Sequence, residues 1–138
     1  MGAWGTGFFE NDDALDWKGD LLESSTLGLI EETLSASAAE EYIEADLASQ
    51  ALAAAEIVAA LNGRPGMEIR NEAGEVEDLV EWLKAQREQA PHLRQLALTA
   101  VEKIKTESEL QELWAETDDY ELWIELLNDL QNRIKELK

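Results

Sequence analysis

The chain has 138 residues, 45% of them hydrophobic, and it contains no cysteine. A chain of this length buries roughly 68% of its unfolded surface, so it needs no metal or disulfide to fold, and without cysteine it has no disulfide framework, thiolate zinc site or cysteine nucleophile. Its 31 acidic residues against 11 Lys and Arg give a net charge of −20, which argues against direct binding to nucleic acid or to an anionic membrane surface.

The acidic charge is concentrated in two parts of the sequence. Residues 1–62 carry 13 acids against 1 base, and residues 106–138 carry 10 against 3. A surface of one sign favours a partner of the opposite sign, so a basic protein is the expected partner. The sequence shows neither a secretory leader pattern nor an apolar run of about 20 residues. We therefore expect a soluble, cytoplasmic protein that does not bind nucleic acid or membrane and is monomeric by default.

A glycine-spaced aromatic strip opens the sequence, with Gly5 and Gly7 between Trp4 and the pair Phe8 and Phe9. Glycines permit tight turns of an extended chain, and large aromatic side chains fill apolar grooves. We predict an extended N-terminal arm that packs Trp4 and at least one phenylalanine between helices. The alternative is an arm that binds a partner. A phosphate-binding loop is not predicted, because the third glycine and any nearby Lys or Arg are missing.

Asn11 is a favourable N-cap for the first helix, and three aspartates, Asp12, Asp13 and Asp16, follow it in the first turns. Carboxylates at this end of a helix are favoured by the helix dipole. They are also ligands for a hard cation such as Mg²⁺ or Ca²⁺, although the spacing is not that of an EF-hand. Trp17 is expected on the inward face of this helix.

Two helices are predicted between residues 27 and 61. A short one carries Ile30 and Leu34 on its inward face. The sequence Ser37–Glu40 has the form of a capping box and predicts the start of the longest helix, which is rich in alanine and ends near Leu61. Residues 63–74 form the one long loop candidate.

Helical spacing continues to the end of the chain. One helix buries Leu79 and Leu83, and the next follows Pro91. Ser108 is predicted to cap a short helix that reaches Trp114, and a last helix begins near Tyr120. The expected architecture is therefore all-α: an irregular bundle of six or seven helices in one domain covering residues 1–138.

Tryptophans mark the expected core and one expected contact surface. Trp17, Trp114 and Trp123 stand at inward helical positions and are predicted to be buried in one core. Trp82, between Glu81 and Leu83, is the best candidate for a partly exposed aromatic at an interface.

Two carboxylate motifs suggest a metal site. Glu40, Glu41 and Glu44 have the E-E-x-x-E form, and Glu75 with Asp78 has the E-x-x-D form. Carboxylates at these spacings on two facing helices can hold Mg²⁺ against the phosphates of a nucleotide. The pair resembles the metal-binding signature of all-α nucleoside triphosphate pyrophosphohydrolases. Solvated helix faces explain the same residues without a metal.

Two longer motifs carry a family resemblance. The sequence M-G-A-W-G-x-G-x-F-E-N-D-D-A-x-D-W occupies residues 1–17, and S-E-L-x-E-L-W occupies residues 108–114, followed by Trp123 and Arg133. This combination resembles a bacterial family known only as a domain of unknown function. The resemblance implies no biochemistry. We expect a structural role for the shared residues Trp4, Gly5, Gly7, Phe9, Asn11, Asp12, Asp13, Asp16, Trp17 and Trp114.

Two functions remain open from the sequence. The first is a non-enzymatic, highly acidic protein-binding module, which includes the special case of an inhibitor or immunity-type protein. The alternative is a Mg²⁺-dependent, pyrophosphohydrolase-like enzyme that uses Glu40, Glu41, Glu44, Glu75 and Asp78. No cofactor is expected for the first function.

Overall fold

A computed structural model describes residues 8–9, 11–23, 27–61, 64, 66, 77–85 and 93–135. Within these ranges the chain forms seven α-helices and no strand, which confirms the predicted all-α fold. The helices are α1 Asp12–Glu23, α2 Gly28–Ala39, α3 Ala45–Leu61, α4 Glu77–Ala85, α5 Arg94–Thr106, α6 Glu109–Ala115 and α7 Tyr120–Lys135. Trp4, Gly5 and Gly7, and with them the extended form of the arm, lie outside the described residues. No helix of the described ranges is long and apolar enough to cross a membrane.

Helix α3 lies at the centre of the bundle. Every residue from Ala51 to Ala59 is buried, and the helix contacts α1, α2, α5, α6 and α7. A helix that is buried on all sides needs small or apolar residues around its whole circumference. The alanines of α3 meet that need, because they let the neighbouring helices approach its backbone closely.

The three predicted core tryptophans are buried, as expected. Trp17 is 3% exposed, Trp114 7% and Trp123 1%. The indole Nε1 of Trp17 donates a hydrogen bond of 2.8 Å to Thr33 Oγ1, which satisfies the polar atom that burial removes from water. The rings of Trp114 and Trp123 stack with their centroids 6.5 Å apart and thus join α6 to α7.

The start of α1 holds the end of the N-terminal arm. Asn11 acts as the predicted N-cap, since its Oδ1 accepts a hydrogen bond of 2.8 Å from Ala14 N. Its Nδ2 donates to the carbonyl of Phe8 at 3.3 Å. Phe8 is 6% exposed and Phe9 1% exposed. The two phenylalanines are therefore part of the core. This confirms the prediction that at least one phenylalanine of the arm is buried.

The predicted start of the long helix is wrong. Ser37 does not open α3 but lies buried in the last turn of α2, which ends at Ala39. Helix α3 begins only at Ala45. Between the two helices the chain bends at Glu41 and Tyr42, and Ile43 forms an isolated parallel bridge with Ser108. The capping-box pattern was predicted to mark the start of a helix, but it lies at the end of the preceding one.

Contacts distant in sequence explain this break. Ile43 N donates to Glu107 O at 3.1 Å, and Glu109 N donates to Ile43 O at 2.8 Å. The Ile43 side chain is fully buried. Lys103 Nζ donates to the carbonyls of Ala38, at 3.0 Å, and Glu40, and a cation at this position satisfies the last carbonyls of α2.

The prediction for Trp82 is also wrong. Trp82 is only 9% exposed, and with Leu79 and Val80 it forms the buried face of α4. This face explains why α4 packs on α1. Lys18 of α1 and Asp78 of α4 form a salt bridge of 3.0 Å between the same two helices. Trp82 is thus a core residue and not an exposed aromatic of an interface.

Candidate protein-binding surface

A long stretch of the chain exposes carboxylates without any nearby cation in sequence. From Thr106 to Asn132 there are nine acids and no Lys or Arg. All nine side chains are exposed: Glu107, Glu109, Glu112, Glu116, Asp118, Asp119, Glu121, Glu125 and Asp129. Among the described residues only Asp129 forms an ion pair, with Arg133 Nε at 2.8 Å. The other eight carboxylates keep their charge exposed to solvent.

The connector between α2 and α3 lies beside the Thr106–Asn132 stretch, because Ile43 and Ser108 form a parallel backbone bridge. Glu109 Oε1 accepts a hydrogen bond of 2.9 Å from Ala45 N. The pairing brings two acidic segments side by side, and all six of their glutamates are exposed. We call this place the acidic junction, which consists of Glu40, Glu41, Glu44, Glu107, Glu109 and Glu112.

An aromatic side chain stands within the acidic junction. Tyr42 is 50% exposed, and its hydroxyl donates a hydrogen bond to Glu112 Oε2. This hydrogen bond, helped by the negative charges of Glu112 and Glu109, raises the pKa of Tyr42 from 10.0 to about 12. Tyr42 therefore presents a neutral, oriented ring among carboxylates.

The predicted metal ligands do not share helix faces as expected. Glu40, Glu41 and Glu44 lie in the non-helical connector before α3, so their spacing of three or four residues does not place them on one helix face. Asp78 lies in α4 and binds Lys18. Glu75 lies outside the described residues. No group of three or more His, Asp or Glu that could hold a metal ion occurs in the part of the chain that the structure describes.

The aspartates of α1 lie where the sequence predicted them. Asp12 and Asp13 belong to the first turn of the helix, where its dipole favours them. Partial burial raises the pKa of Asp13, and the charges of Asp46, Asp16 and Asp12 add to this effect. The start of α1 is therefore a place of like-charge repulsion close to the start of α3.

A buried charged network joins α3 to α7, and sequence reasoning missed it. Glu56 is 2% exposed and Arg133 9% exposed. Arg133 Nη1 donates to Glu56 Oε2 and Nη2 donates to Oε1, both at 2.9 Å. Nη1 also donates to the carbonyl of Arg64 at 2.9 Å. This two-pronged geometry is the strongest form of a carboxylate–guanidinium pair.

The segment after α3 completes the network. Gly66 N donates to Glu56 Oε2 at 2.8 Å. A Cβ at Gly66 would lie 2.5 Å from Glu56 Oε1 and 3.1 Å from Arg133 Nη2. Glycine is thus required by the close approach of backbone to carboxylate. The network is closed by protein groups and is structural.

Burial and pairing shift the pKa values of Glu56 and Arg133 in opposite directions. Burial raises the pKa of Glu56, although the hydrogen bonds and charge of Arg133 and the Gly66 amide oppose the rise. Burial alone would lower the pKa of Arg133, but the hydrogen bonds and charges of Glu56 and Asp129 raise it. A signal existed in the sequence: Glu56 is the single charged residue between Leu47 and Asn62, and every other residue of α3 from Ala51 to Leu61 is apolar.

Comparison with known proteins supports the resemblance seen in the motifs. No curated protein and no solved structure shows significant similarity to this chain. A family model described as "Domain of unknown function (DUF4259)" matches residues 2–125. Because the match covers most of the 138 residues, the chain belongs to the DUF4259 family.

Proposed function

We propose that the protein is a non-enzymatic, cytoplasmic binding module whose acidic surface recognises a basic protein. The observation that carries the proposal is the stretch from Thr106 to Asn132, in which all nine acids are exposed and no Lys or Arg is present. Eight of the nine form no ion pair among the described residues, so they can form charge pairs with an incoming molecule, and their combined field accelerates its approach.

The acidic junction adds an aromatic anchor to this surface. Tyrosine is enriched among the residues that contribute most to protein–protein binding, because its ring supplies apolar area and its hydroxyl a hydrogen bond. Tyr42 is half exposed among six glutamates. A Lys or Arg side chain of a partner would meet both a carboxylate and an aromatic face there.

The chemistry of the surface also defines which partners it disfavours. Nucleic acid and anionic lipid carry the same charge sign as the protein and would be repelled. An inhibitor or immunity-type protein that covers a basic nuclease or toxin is one form of the proposed function. We take the monomer as the binding unit.

The pyrophosphohydrolase alternative has less support. Its ligands were expected on two facing helices, but Glu40, Glu41 and Glu44 lie in a connector. The proposal predicts no Mg²⁺-dependent release of pyrophosphate from nucleoside triphosphates. Robust turnover that is lost in Glu44→Gln would contradict it, whereas weak Mg²⁺ binding alone is expected of any protein with this charge.

Two neutralised variants with the same net charge test whether the acidic surface is specific. The surface variant changes Glu41, Glu107 and Glu116 to Gln and Asp118 to Asn, and the control variant changes Glu23, Glu31 and Glu32 to Gln and Asp20 to Asn. All eight side chains are exposed. The probe is an unstructured peptide that contains only Lys, Arg and Gly, and its affinity is measured by isothermal titration calorimetry.

We expect the surface variant to bind the peptide about tenfold more weakly than wild type, because each lost charge pair weakens binding modestly. The control variant should lose about twofold or less. Equal losses in the two variants would mean that only net charge matters, and would overturn the proposed surface. Absence of binding to wild type at low salt would also overturn it.

A further inference from the structure

A groove lies beside the acidic junction, between the end of α5 and the first turns of α7. The groove is shallow and open to solvent, and its volume is about 530 Å³. The residues that line it are Lys105, Thr106, Tyr120, Glu121, Ile124, Glu125 and Asn128.

The apolar floor of the groove is held rigidly. Tyr120 and Ile124 lie one turn apart on α7, and both are partly buried against the core. Gln111 Nε2 donates to the Tyr120 hydroxyl at 3.0 Å, and the Tyr120 ring stacks on Trp123 with centroids 6.3 Å apart. A fixed aromatic ring loses little conformational entropy when another molecule packs on it.

The charges around the groove are uneven. Lys105 is already engaged, by Glu102 at 3.2 Å and by the side-chain oxygens of Asn128 and Gln131 at 3.1 and 3.0 Å. Glu121 and Glu125 are exposed, and no described Lys or Arg forms an ion pair with either. Among the described residues, the rim of the groove is thus negative, and Lys105, the one cation of its lining, is already paired.

The spacing of the rim residues matches that of cations on a helical occupant. Glu121 and Glu125 are four residues apart on α7, so their backbones are separated by about 6 Å along the helix axis. A second helix that carries Lys or Arg at positions four apart presents cations at the same spacing. An apolar side chain between those cations would face Tyr120 and Ile124.

We propose that this groove binds an amphipathic helical segment of a basic partner protein, with an apolar side chain inserted between Tyr120 and Ile124 and flanking Lys or Arg residues paired with Glu121 and Glu125. This inference rests on the proposed function and specifies its partner. Helix-in-groove recognition uses apolar anchors at this kind of spacing, and the charges set the orientation. The negative rim disfavours a phosphate-bearing ligand.

Two peptides of equal composition, each about 15 residues long and built from Leu, Lys and Ala, test the inference. One places its leucines on a single helical face, and in the other the same residues are scrambled. We expect the amphipathic peptide to bind about tenfold more tightly. In ¹⁵N-resolved NMR spectra its shift changes should centre on Tyr120, Ile124 and Asn128.

A pair of double variants separates the rim from the rest of the surface. Glu121→Gln with Glu125→Gln should weaken binding of the amphipathic peptide about fivefold, whereas Glu31→Gln with Glu32→Gln, an equal charge change on exposed positions of α2, should weaken it by about twofold or less. All four positions are exposed, so neither double variant should impair folding.

The possible outcomes distinguish this inference from the proposed function. Equal affinities for the two peptides, with shift changes spread over the acidic junction, would overturn the groove and leave the acidic binding surface intact. Equal losses in the two double variants would overturn the groove as well. If neither peptide binds at low salt, the proposed function itself fails.

Discussion

The charged side chains at the two ends of helix α7 differ in burial and in pairing. Near its C-terminal end Arg133 is 9% exposed and is bound by Glu56, Asp129 and the carbonyl of Arg64. Near its N-terminal end Glu121 and Glu125 are exposed and lack any described cation partner. One end therefore uses charge to fix internal packing, and the other leaves charge available for contact with another molecule.

This difference follows from the cost of desolvation. A buried charge must be paired and fully hydrogen-bonded, because removing its partner leaves it in a medium of low polarity. An exposed carboxylate is already solvated and contributes little to folding whether or not it is paired. The charged groups at the C-terminal end of α7 should consequently affect stability, and those at its N-terminal end should affect binding.

The largest expected effect comes from breaking the buried pair. Arg133→Ala leaves Glu56 buried without its cation and should lower the free energy of unfolding by about 3–5 kcal/mol. Chemical denaturation monitored by circular dichroism measures this loss. The control is Lys135→Ala, an exposed position of the same helix, which should change stability by about 0.5 kcal/mol or less.

The pH dependence of that loss sharpens the test. In Arg133→Ala the pKa of Glu56 is raised further above its ordinary 4.5, because the group that opposed the effect of burial is gone. A raised folded-state pKa gives stability that is present below the unfolded pKa and lost as pH rises through the folded pKa. The difference between variant and wild type should therefore shrink as pH falls from 7 toward 4.5. A loss that is small, or independent of pH, would contradict the role of the pair.

A smaller effect is expected at Gly66. In Gly66→Ala the new methyl group lies 2.5 Å from Glu56 Oε1, and the carboxylate cannot move without stretching its bonds to Arg133. The substitution should cost about 1–3 kcal/mol. Gly19→Ala is the matched control, because Gly19 is an exposed position of helix α1 and nothing lies within 4 Å of its Cβ position. It should stabilise by about 0.5–1 kcal/mol. Effects of the same sign in both variants would contradict this assignment.

At the acidic junction we expect a substitution of Glu112 to shift the pKa of Tyr42 with little effect on stability. Tyr42 should ionise near pH 12, as its pKa is raised to about 12, and absorbance near the phenolate band follows this ionisation. Because the folded pKa is raised, the contribution of this hydrogen bond to stability is present below pH 10 and is lost as pH rises toward 12. Glu112→Gln should move the pKa of Tyr42 back toward 10.0. An unchanged titration in that variant would contradict the hydrogen bond.

The sequence predicted the features that depend on local patterns. The caps at Asn11 and Ser108 are confirmed, as Ser108 Oγ accepts from Gln111 N at 3.0 Å. Helical spacing also placed Trp17, Trp114 and Trp123 in the core. These signals succeed because a cap or an apolar stripe involves residues that are only a few positions apart.

The errors fall where distant contacts decide the structure. The pairing of Ile43 with Ser108 separates the end of α2 from the start of α3. No local pattern at Ser37–Glu40 reveals this pairing. Packing of α4 on α1 buries Trp82 in the same way. The Glu56–Arg133 pair joins residues 77 positions apart. The exposed acids were recognisable by composition, but their placement at one junction was not.

The salt dependence of binding tests the central claim most directly. Affinity of wild type and of the surface variant for the Lys- and Arg-rich peptide is measured from about 50 mM to about 500 mM salt, over which the screening length falls from more than 10 Å to less than 8 Å. We predict that wild-type affinity falls steeply with salt and that neutralising Glu41, Glu107, Glu116 and Asp118 flattens the dependence, whereas the control variant retains most of it. A wild-type affinity that is insensitive to salt, or the same slope in all three proteins, would contradict the account.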